Sequence, residues 1–148
     1  MICMKKFRRY IFAVVFIKDR KTKFLIFHRV KNWKGWELLK GGLKGNESEG
    51  ECLRREIAEE TGAKMFKTLS KTRHIIKYKW PREYMKDQHR FYGAIGNLYI
   101  VRLFDKKIKI DKREHDKFKW VDAKDALKHL TYLNQKNALK YVLKNHNL

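Results

Sequence analysis

Three glutamates, Glu56, Glu59 and Glu60, stand three and four positions apart within LLKGGLKGNESEGECLRREIAEETGA, the run from Leu38 to Ala63. On a helix, that spacing projects side chains from neighbouring positions on one face. Like charges so placed destabilise an isolated helix by a few tenths of a kcal/mol per pair, and partial burial costs more unless something positive joins them. Oxygen-only ligands on a rigid element suit a hard divalent cation, Mg²⁺ or Mn²⁺, which keeps several waters and often shares substrate phosphates. The competing reading is a solvated helix face laced with ion pairs, with Arg54 or Arg55 balancing Glu51 and Glu59. The acids are unevenly placed: of 16 Asp and Glu in 148 residues, six (Glu47, Glu49, Glu51, Glu56, Glu59, Glu60) fall within fourteen positions. Even spreading would put about one or two there.

The surrounding pattern supplies the elements that must hold these residues. After the turn-forming GNES, a helix is predicted from Glu47 or Ser48 to a stop at Gly62, with Leu53 and Ile57 on an adjacent stripe that can face the core. Upstream, RRYIFAVVFI and KFLIFHRV are rich in aromatic and β-branched residues and flank KDRKT, which predicts a strand pair joined by a polar turn. Downstream, Lys64 to Trp80 reads as extended, followed by a long polar loop, PREYMKDQH. Phe91 to Phe104 reads as a strand weakened or bent near Gly93 and Gly96, and KFKWV as a short strand. Asp122 is placed to cap a helix, DAKDALKHL, and a last helix runs from about Leu133 to Lys144 with Leu139, Val142 and Leu143 at helical spacing. The expected class is α/β, a mixed sheet packed between helices, in one domain over residues 1–148 without repeats or linkers.

Composition bounds the partners. A chain of this length with 43% hydrophobic residues can bury a real core. A formal charge of +21 draws in polyanions, so nucleotides, nucleic acid or inositol phosphates are the expected ligands, although a lysine-rich host or a hot habitat would also account for such a surface. Cys3 and Cys52 have neither metal-ligand spacing nor a disulfide framework, and a reducing cytoplasm is the simplest setting. In MICMKKFRRYIFAVVFIKD, basic residues precede an apolar run, but Tyr10 to Ile17 is too short to span a bilayer, so a buried strand is expected there and no membrane partner.

In register, the opening run has Gly41, five residues, Glu47, seven residues, Arg55-Glu56-Ile57, one residue, Glu59-Glu60, one residue, Gly62 and Ala63. It resembles the complete Nudix box, the signature of hydrolases acting on nucleoside diphosphates linked to another moiety. The one soft match is Ala63, where a larger aliphatic is usual. The resemblance implies a Nudix fold, with the box as a loop, helix, loop unit. It implies that Glu56, Glu59 and Glu60 hold one or more divalent ions, Mg²⁺ foremost with Mn²⁺ as alternative, helped by the Gly41 carbonyl. Glu47 and Arg55 would brace the loop and orient the carboxylates. For the proton acceptor in pyrophosphate hydrolysis, Glu56 is the first candidate and Glu114, outside the box, the second.

The second half carries a less specific likeness. EHDKFKWVDAKDALKHLTYLNQKNALKYV, from Glu114 to Val142, is similar to diadenosine tetraphosphate hydrolases of the same superfamily, which place a Glu-His pair before an aromatic and a Trp; Glu114, His115, Phe118 and Trp120 fill the pattern. Lys40-Gly41 resembles the start of the box in those enzymes. The implied activity is Mg²⁺-dependent cleavage of a phosphoanhydride, with a dinucleoside polyphosphate as lead substrate. A dNTP, a nucleoside diphosphate sugar and the triphosphorylated end of RNA stand behind it, the last favoured by the charge; a nucleotide- or RNA-binding protein without turnover is the contrasting class. Lys40, Arg29, Lys31 and Lys44 are candidates to touch phosphate, and Tyr132 or Tyr92 to stack on a base, each against the plainer alternative of surface or rim packing. His28, His74 and His89 lack ligand spacing, and His115 is expected to donate a structural hydrogen bond. The loop from Trp80 to His89 has no assigned role, and nothing marks an oligomer interface.

Overall fold

The computed structural model describes residues 6–83 and 91–148, so Cys3, His89 and most of the expected long loop lie outside the described residues. Strand β1 (Lys6–Asp19) is central. One edge of it pairs in parallel with β6 (Phe91–Leu103). Its other edge is shared: Tyr10 to Ala13 pair antiparallel with β4 (Leu39–Gly42), and Phe16 to Asp19 with β2 (Lys21–Arg29). Beyond β6 lies β5 (Phe66–Lys79), antiparallel to it; β2 also carries β3 (Gly35–Glu37) and β7 (His115–Val121). A mixed sheet of seven strands results, with helix α1 (Glu49–Thr61) on one face and α2 (Ala123–His129) and α3 (Leu133–Asn145) on the other.

The unbroken apolar run in β1 follows from this sandwich, because a strand covered on both faces has no side to leave polar. Phe12, Val14 and Phe16 face a core shared with Ile26, Leu98, Ile100 and, from α3, Ala138, Leu139 and Val142. Ile11, Ala13 and Val15 face the other core, with Leu25, Val101 and, from α1, Leu53 and Ile57. At the polar turn the strands run further than expected: Asp19 pairs with Lys21, and Arg20 alone, at φ 55°, reverses the chain. The irregularity expected near Gly93 is present, since the register between β1 and β6 shifts where Phe91 pairs with Lys6 and Gly93 with Phe7, whereas the pairing runs unbroken through Gly96, held by partners on both edges. Strands β3 and β4 were not anticipated. GWE and LKGG are too short for periodicity and lack β-branched residues, so their extended form comes from pairing with β2 and β1.

Phe16 is fully buried between β2, β6 and α3. Truncating a buried Phe costs about 3–5 kcal/mol, a large share of the roughly 5–15 kcal/mol that holds a domain folded. Phe16→Ala should therefore move the urea midpoint sharply downward, whereas Met65→Ala at a 74% exposed position should change the unfolding free energy from the same titration by no more than about 0.5 kcal/mol.

Candidate functional site

The box helix has both ends fixed by local chemistry. Ser48 caps the start reciprocally with Glu51: the Glu51 amide donates to Ser48 Oγ (3.1 Å) and the Ser48 amide to Glu51 Oε1 (3.3 Å). Gly62 stops it at φ 72°, a left-handed conformation that glycine adopts without strain. With the termini set, Cys52, Leu53 and Ile57 turn to the sheet, and the remaining face carries the acids. Cys52 is inert: its Sγ donates weakly to the Gly41 carbonyl (3.7 Å), and burial pushes the thiol up to about 12.

Strand β4 brings the start of the box to α1. Gly41, opposite Ile11, lies so close to the Glu56 carboxyl that a Cβ there would overlap it. Arg55 ties the parts together. Its Nε and Nη2 grip Glu47 bidentately (2.8 and 2.9 Å), Nη2 also donates to the Gly42 carbonyl (3.0 Å), and Nη1 donates to Glu56 Oε1 (2.8 Å) and lies 3.4 Å from Glu59 Oε2. Hydrogen bonds from Arg55 hold the Glu47 carboxyl down at about 2. Burial instead raises Glu56 to about 7, against the pull of Arg55.

Glu60 leaves the helix toward a different partner. Its Oε2 lies 2.7 Å from Nδ1 of His115, whose Nε2 is 2.7 Å from Oε2 of Glu37. The first contact is close but poorly aligned, leaving Glu60 Oε2 and His115 Nδ1 without a hydrogen bond of good geometry. All three residues are buried, at 2%, 3% and 1% exposure respectively, which requires that their charges be paired. Glu37 is the hub. Arg29 Nη1 (3.1 Å) and Lys40 Nζ (3.4 Å) also reach it, and although burial opposes ionisation, Lys40, His115 and Arg29 bring its carboxyl to about 2. Burial likewise disfavours a charged His115, but the hydrogen bond to Glu37 and the pairing with Glu60 outweigh it and raise the ring above its ordinary 6.5. A bulge puts His115 there: the register between β2 and β7 shifts at His28/Arg29, so that Asp116 is extra and His115 points to the same face as Phe118 and Trp120.

The box glutamates are thus divided between two partners, Glu56 and Glu59 sharing Arg55 while Glu60 turns to His115. Among the described residues, Glu60, Glu114 and His115 can each offer a ligand atom within 4.8 Å of the others. Glu60 Oε2, buried and poorly bonded, and the Glu56 carboxyl packed against Gly41 are oxygen donors that fit a divalent cation in chemistry. Glu56, Glu59 and Glu114 also line a cleft of about 540 Å³, with Arg8, Arg29, Lys31, Lys40, Lys44 and Lys79 as its cations and Tyr10, Trp33, Tyr78, Trp80 and Tyr132 as its aromatic walls. Lys40 is mostly buried, near Tyr78 OH (3.4 Å) and under the Trp33 ring; Tyr132 packs edge-on against Trp33 with centroids 4.8 Å apart. The α2–α3 connection is fastened beside them by the Trp36 amide on Thr131 Oγ1 (2.9 Å) and the Leu38 amide on Gln135 Oε1 (2.7 Å). His28 pairs with Asp116 and His74 packs on Tyr141, both away from this cleft.

Sequence reasoning missed Glu37, Arg8, Tyr78 and Trp80. Glu37 had a visible signal, an acid inside the otherwise apolar WELL run; the others needed the sheet pairing. The charge pattern sets a pH dependence. Glu56 keeps its proton to about 7 when folded and loses it near 4.5 when unfolded, so stability falls across that window; His115, raised above 6.5, extends the fall at higher pH. Glu37 and Glu47, both lowered to about 2, contribute above 4.5 and lose that contribution as pH drops toward 2. In chelator, the melting temperature should peak near pH 5 and decline toward pH 9, with a shallower decline between pH 5 and 7 in Glu56→Gln. Separately, Gly41→Ala should displace Glu56 and lower activity about 10- to 100-fold with the fold kept by circular dichroism.

Residues 7–142 match the NUDIX domain family. The RNA pyrophosphohydrolase of a Nitratiruptor species is 26% identical over 148 residues, covering 95% of this chain and 96% of that protein. That of Saccharophagus degradans is 30% identical over 115 residues, covering 72% and 68%. Among solved structures, a C. elegans Ap4A hydrolase binary complex superposes with a TM-score of 0.77 at 18% identity over 93% of this chain and 96% of that one. The E. coli dihydroneopterin triphosphate pyrophosphohydrolase gives 0.76 at 18% over 96% and 100%. At such identities the structures speak for the fold, and the family match decides membership: the chain belongs to the NUDIX family and is a Nudix-type pyrophosphohydrolase.

Proposed function

We propose that this hydrolase removes pyrophosphate from the triphosphorylated 5′ end of RNA, ahead of the dinucleoside polyphosphate that the sequence favours. The observation that carries this reading is the open cleft in which six cations surround three carboxylates. A terminal triphosphate is dense in charge, and the nucleotides after it need an exit. The likeness over 96% of the Nitratiruptor relative named RNA pyrophosphohydrolase supports the same substrate.

The reaction breaks one phosphoanhydride bond: water adds to the α-phosphorus, pyrophosphate departs, and a 5′-monophosphate remains. Arg8, Lys31 and Lys44, on the cleft walls, neutralise phosphate oxygens that would otherwise repel the attacking oxygen. Glu56, aimed into the cleft from the helix, takes the proton from that water, with Glu114 as the alternative acceptor. Arg55 keeps Glu56 and Glu59 in register. Lys40, fastened to Glu37, presents a fixed positive charge, and Tyr132 with Trp33 offers aromatic surface to the first base. A divalent ion, Mg²⁺ or Mn²⁺, held by Glu56, Glu59 and Glu60 with the Gly41 carbonyl, would supply charge neutralisation and a Lewis acid. A reducing cytoplasm, where RNA ends are processed, suits the buried Cys52 thiol.

Aromatic rings in two places, Trp33 with Tyr132 and Trp80 with Tyr10, also suit a substrate with a base at each end, which keeps dinucleoside polyphosphate as the second reading. A panel of triphosphorylated RNA, diadenosine tetraphosphate and dNTPs with magnesium, scored by product identity, separates them. The expected result is release of pyrophosphate from RNA at the highest kcat/KM. Both Glu59→Gln and Glu60→Gln should lose about 100-fold or more without a change in fold. Unimpaired turnover in the two variants would remove the carboxylates from the reaction, and RNA binding without hydrolysis by the unmutated protein would favour a binding protein.

A further inference from the structure

Helix α1 covers only part of its face of the sheet. Past its N-terminus, β5, β6 and β1 place residues in register on the more open part of this face: Lys77 beside Ile95 and Arg9, and Ile75 beside Asn97, with Lys71 beside Tyr99, which is buried at the edge under the start of α1. The cations project outward, Arg9 with 67% and Lys71 with 51% of the side chain exposed, and Lys77 lies over the Phe7 ring at 4.4 Å from its centroid. Ile75, 57% exposed, gives the surface an apolar floor. Glu49 organises one side of it: Asn97 Nδ2 (2.8 Å) and Tyr99 OH (3.0 Å) donate to its Oε1, and its Oε2 lies 3.2 Å from Lys71 Nζ and 3.5 Å from Arg9 Nη2. One carboxylate thus orients two cations without cancelling both. The same strand continues to Lys79, which lines the catalytic cleft.

We infer that this more open part of the sheet face binds the single-stranded RNA chain that follows the 5′ end seated in the cleft. Across the shift in register between Lys71 and Ile75, Lys71 and Lys79 stand opposite Tyr99 and Gly93 of β6, six positions apart, about 20 Å at the usual rise, so the face forms a track leading away from the reaction centre. Outward cations meet phosphates, and the exposed isoleucine meets the flat faces of bases, a combination that recognises a flexible polyanion without reading its sequence. The inference deepens the proposed substrate and rests on it for the direction of the chain, while affinity for RNA can be measured without turnover.

The test uses the full chain and the triple variant Arg9→Ala, Lys71→Ala, Lys77→Ala, with melting temperature as the check on folding. Binding is read by fluorescence anisotropy with a 5′-monophosphorylated RNA of about twenty nucleotides, across salt concentrations. Each phosphate contact on a single strand contributes about 0.7 to the slope of log K against log salt, so the variant should lose about 1 to 2 units of slope and bind about 10-fold or more weakly at low salt. In turnover, kcat/KM on the triphosphorylated form of that RNA should fall about as far, with that on a triphosphorylated dinucleotide unchanged. Unaltered affinity and slope would overturn the assignment, as would unchanged RNA binding alongside lost binding to vesicles of anionic phospholipid. Equal losses on the dinucleotide would overturn it too, placing the effect in the cleft. Intact RNA binding that depends on the three residues, with no hydrolysis of triphosphorylated RNA by the unmutated protein, would uphold the face and refute the substrate.

Discussion

A single guanidinium holds the reactive region in shape. Arg55 satisfies a loop carboxylate, a strand carbonyl and a helix carboxylate together, at distances between 2.8 and 3.0 Å. Partly buried carboxylates three and four residues apart repel one another, and a rigid, permanently charged fork is the side chain best suited to join them without losing its own proton. Because the same fork reaches Glu47 and Gly42, the position of the helix acids is locked to the strand and loop that precede them. The capped helix ends, the glycine against Glu56 and the fully buried stripe on α1 all serve that placement.

The second charged centre obeys a different rule. Glu60, His115 and Glu37 are nearly without solvent, and they persist because Arg29 and Lys40 bring enough positive charge to match the acids. Lys40 and Arg29 also border the cleft, so the charges that stabilise the interior also form part of its wall. The excess of lysine and arginine acquires a local meaning on this scale, since Arg29 and Lys40 neighbour a buried acid while Arg9 and Lys71 meet a partly exposed one, Glu49.

The helix and its acids were legible in the sequence because each depends on neighbours within a turn or two: a serine cap, a glycine stop, a spacing of three and four. The sandwiched central strand was legible because its apolar run had no polar side. What could not be read were contacts made across the chain. Gly35 to Gly42 has no periodicity to betray two strands, and only pairing with β2 and β1 extends it. Glu37 was open to notice as an acid among apolar neighbours, yet its partners come from Arg29, Lys40 and, 78 positions away, His115. The residues expected at phosphate, Lys40, Arg29, Lys31 and Lys44, do line the cleft, but Arg8, Tyr78 and Trp80 join them through strands whose order local pattern does not encode.

The bulge in β7 has an implication for how such a site can vary. Asp116, the extra residue, separates a stretch devoted to packing, Phe118 and Trp120, from the adjoining pair Glu114 and His115. A regular strand would tie both stretches to one alternation, so that any slip in the packing half would swing the histidine out to solvent. With a dislocation between them, each half keeps its own phase. Hydrophobic replacements can accumulate on one side while the ionisable side chains on the other hold their aim, which leaves the strand free to drift in composition without losing its chemistry.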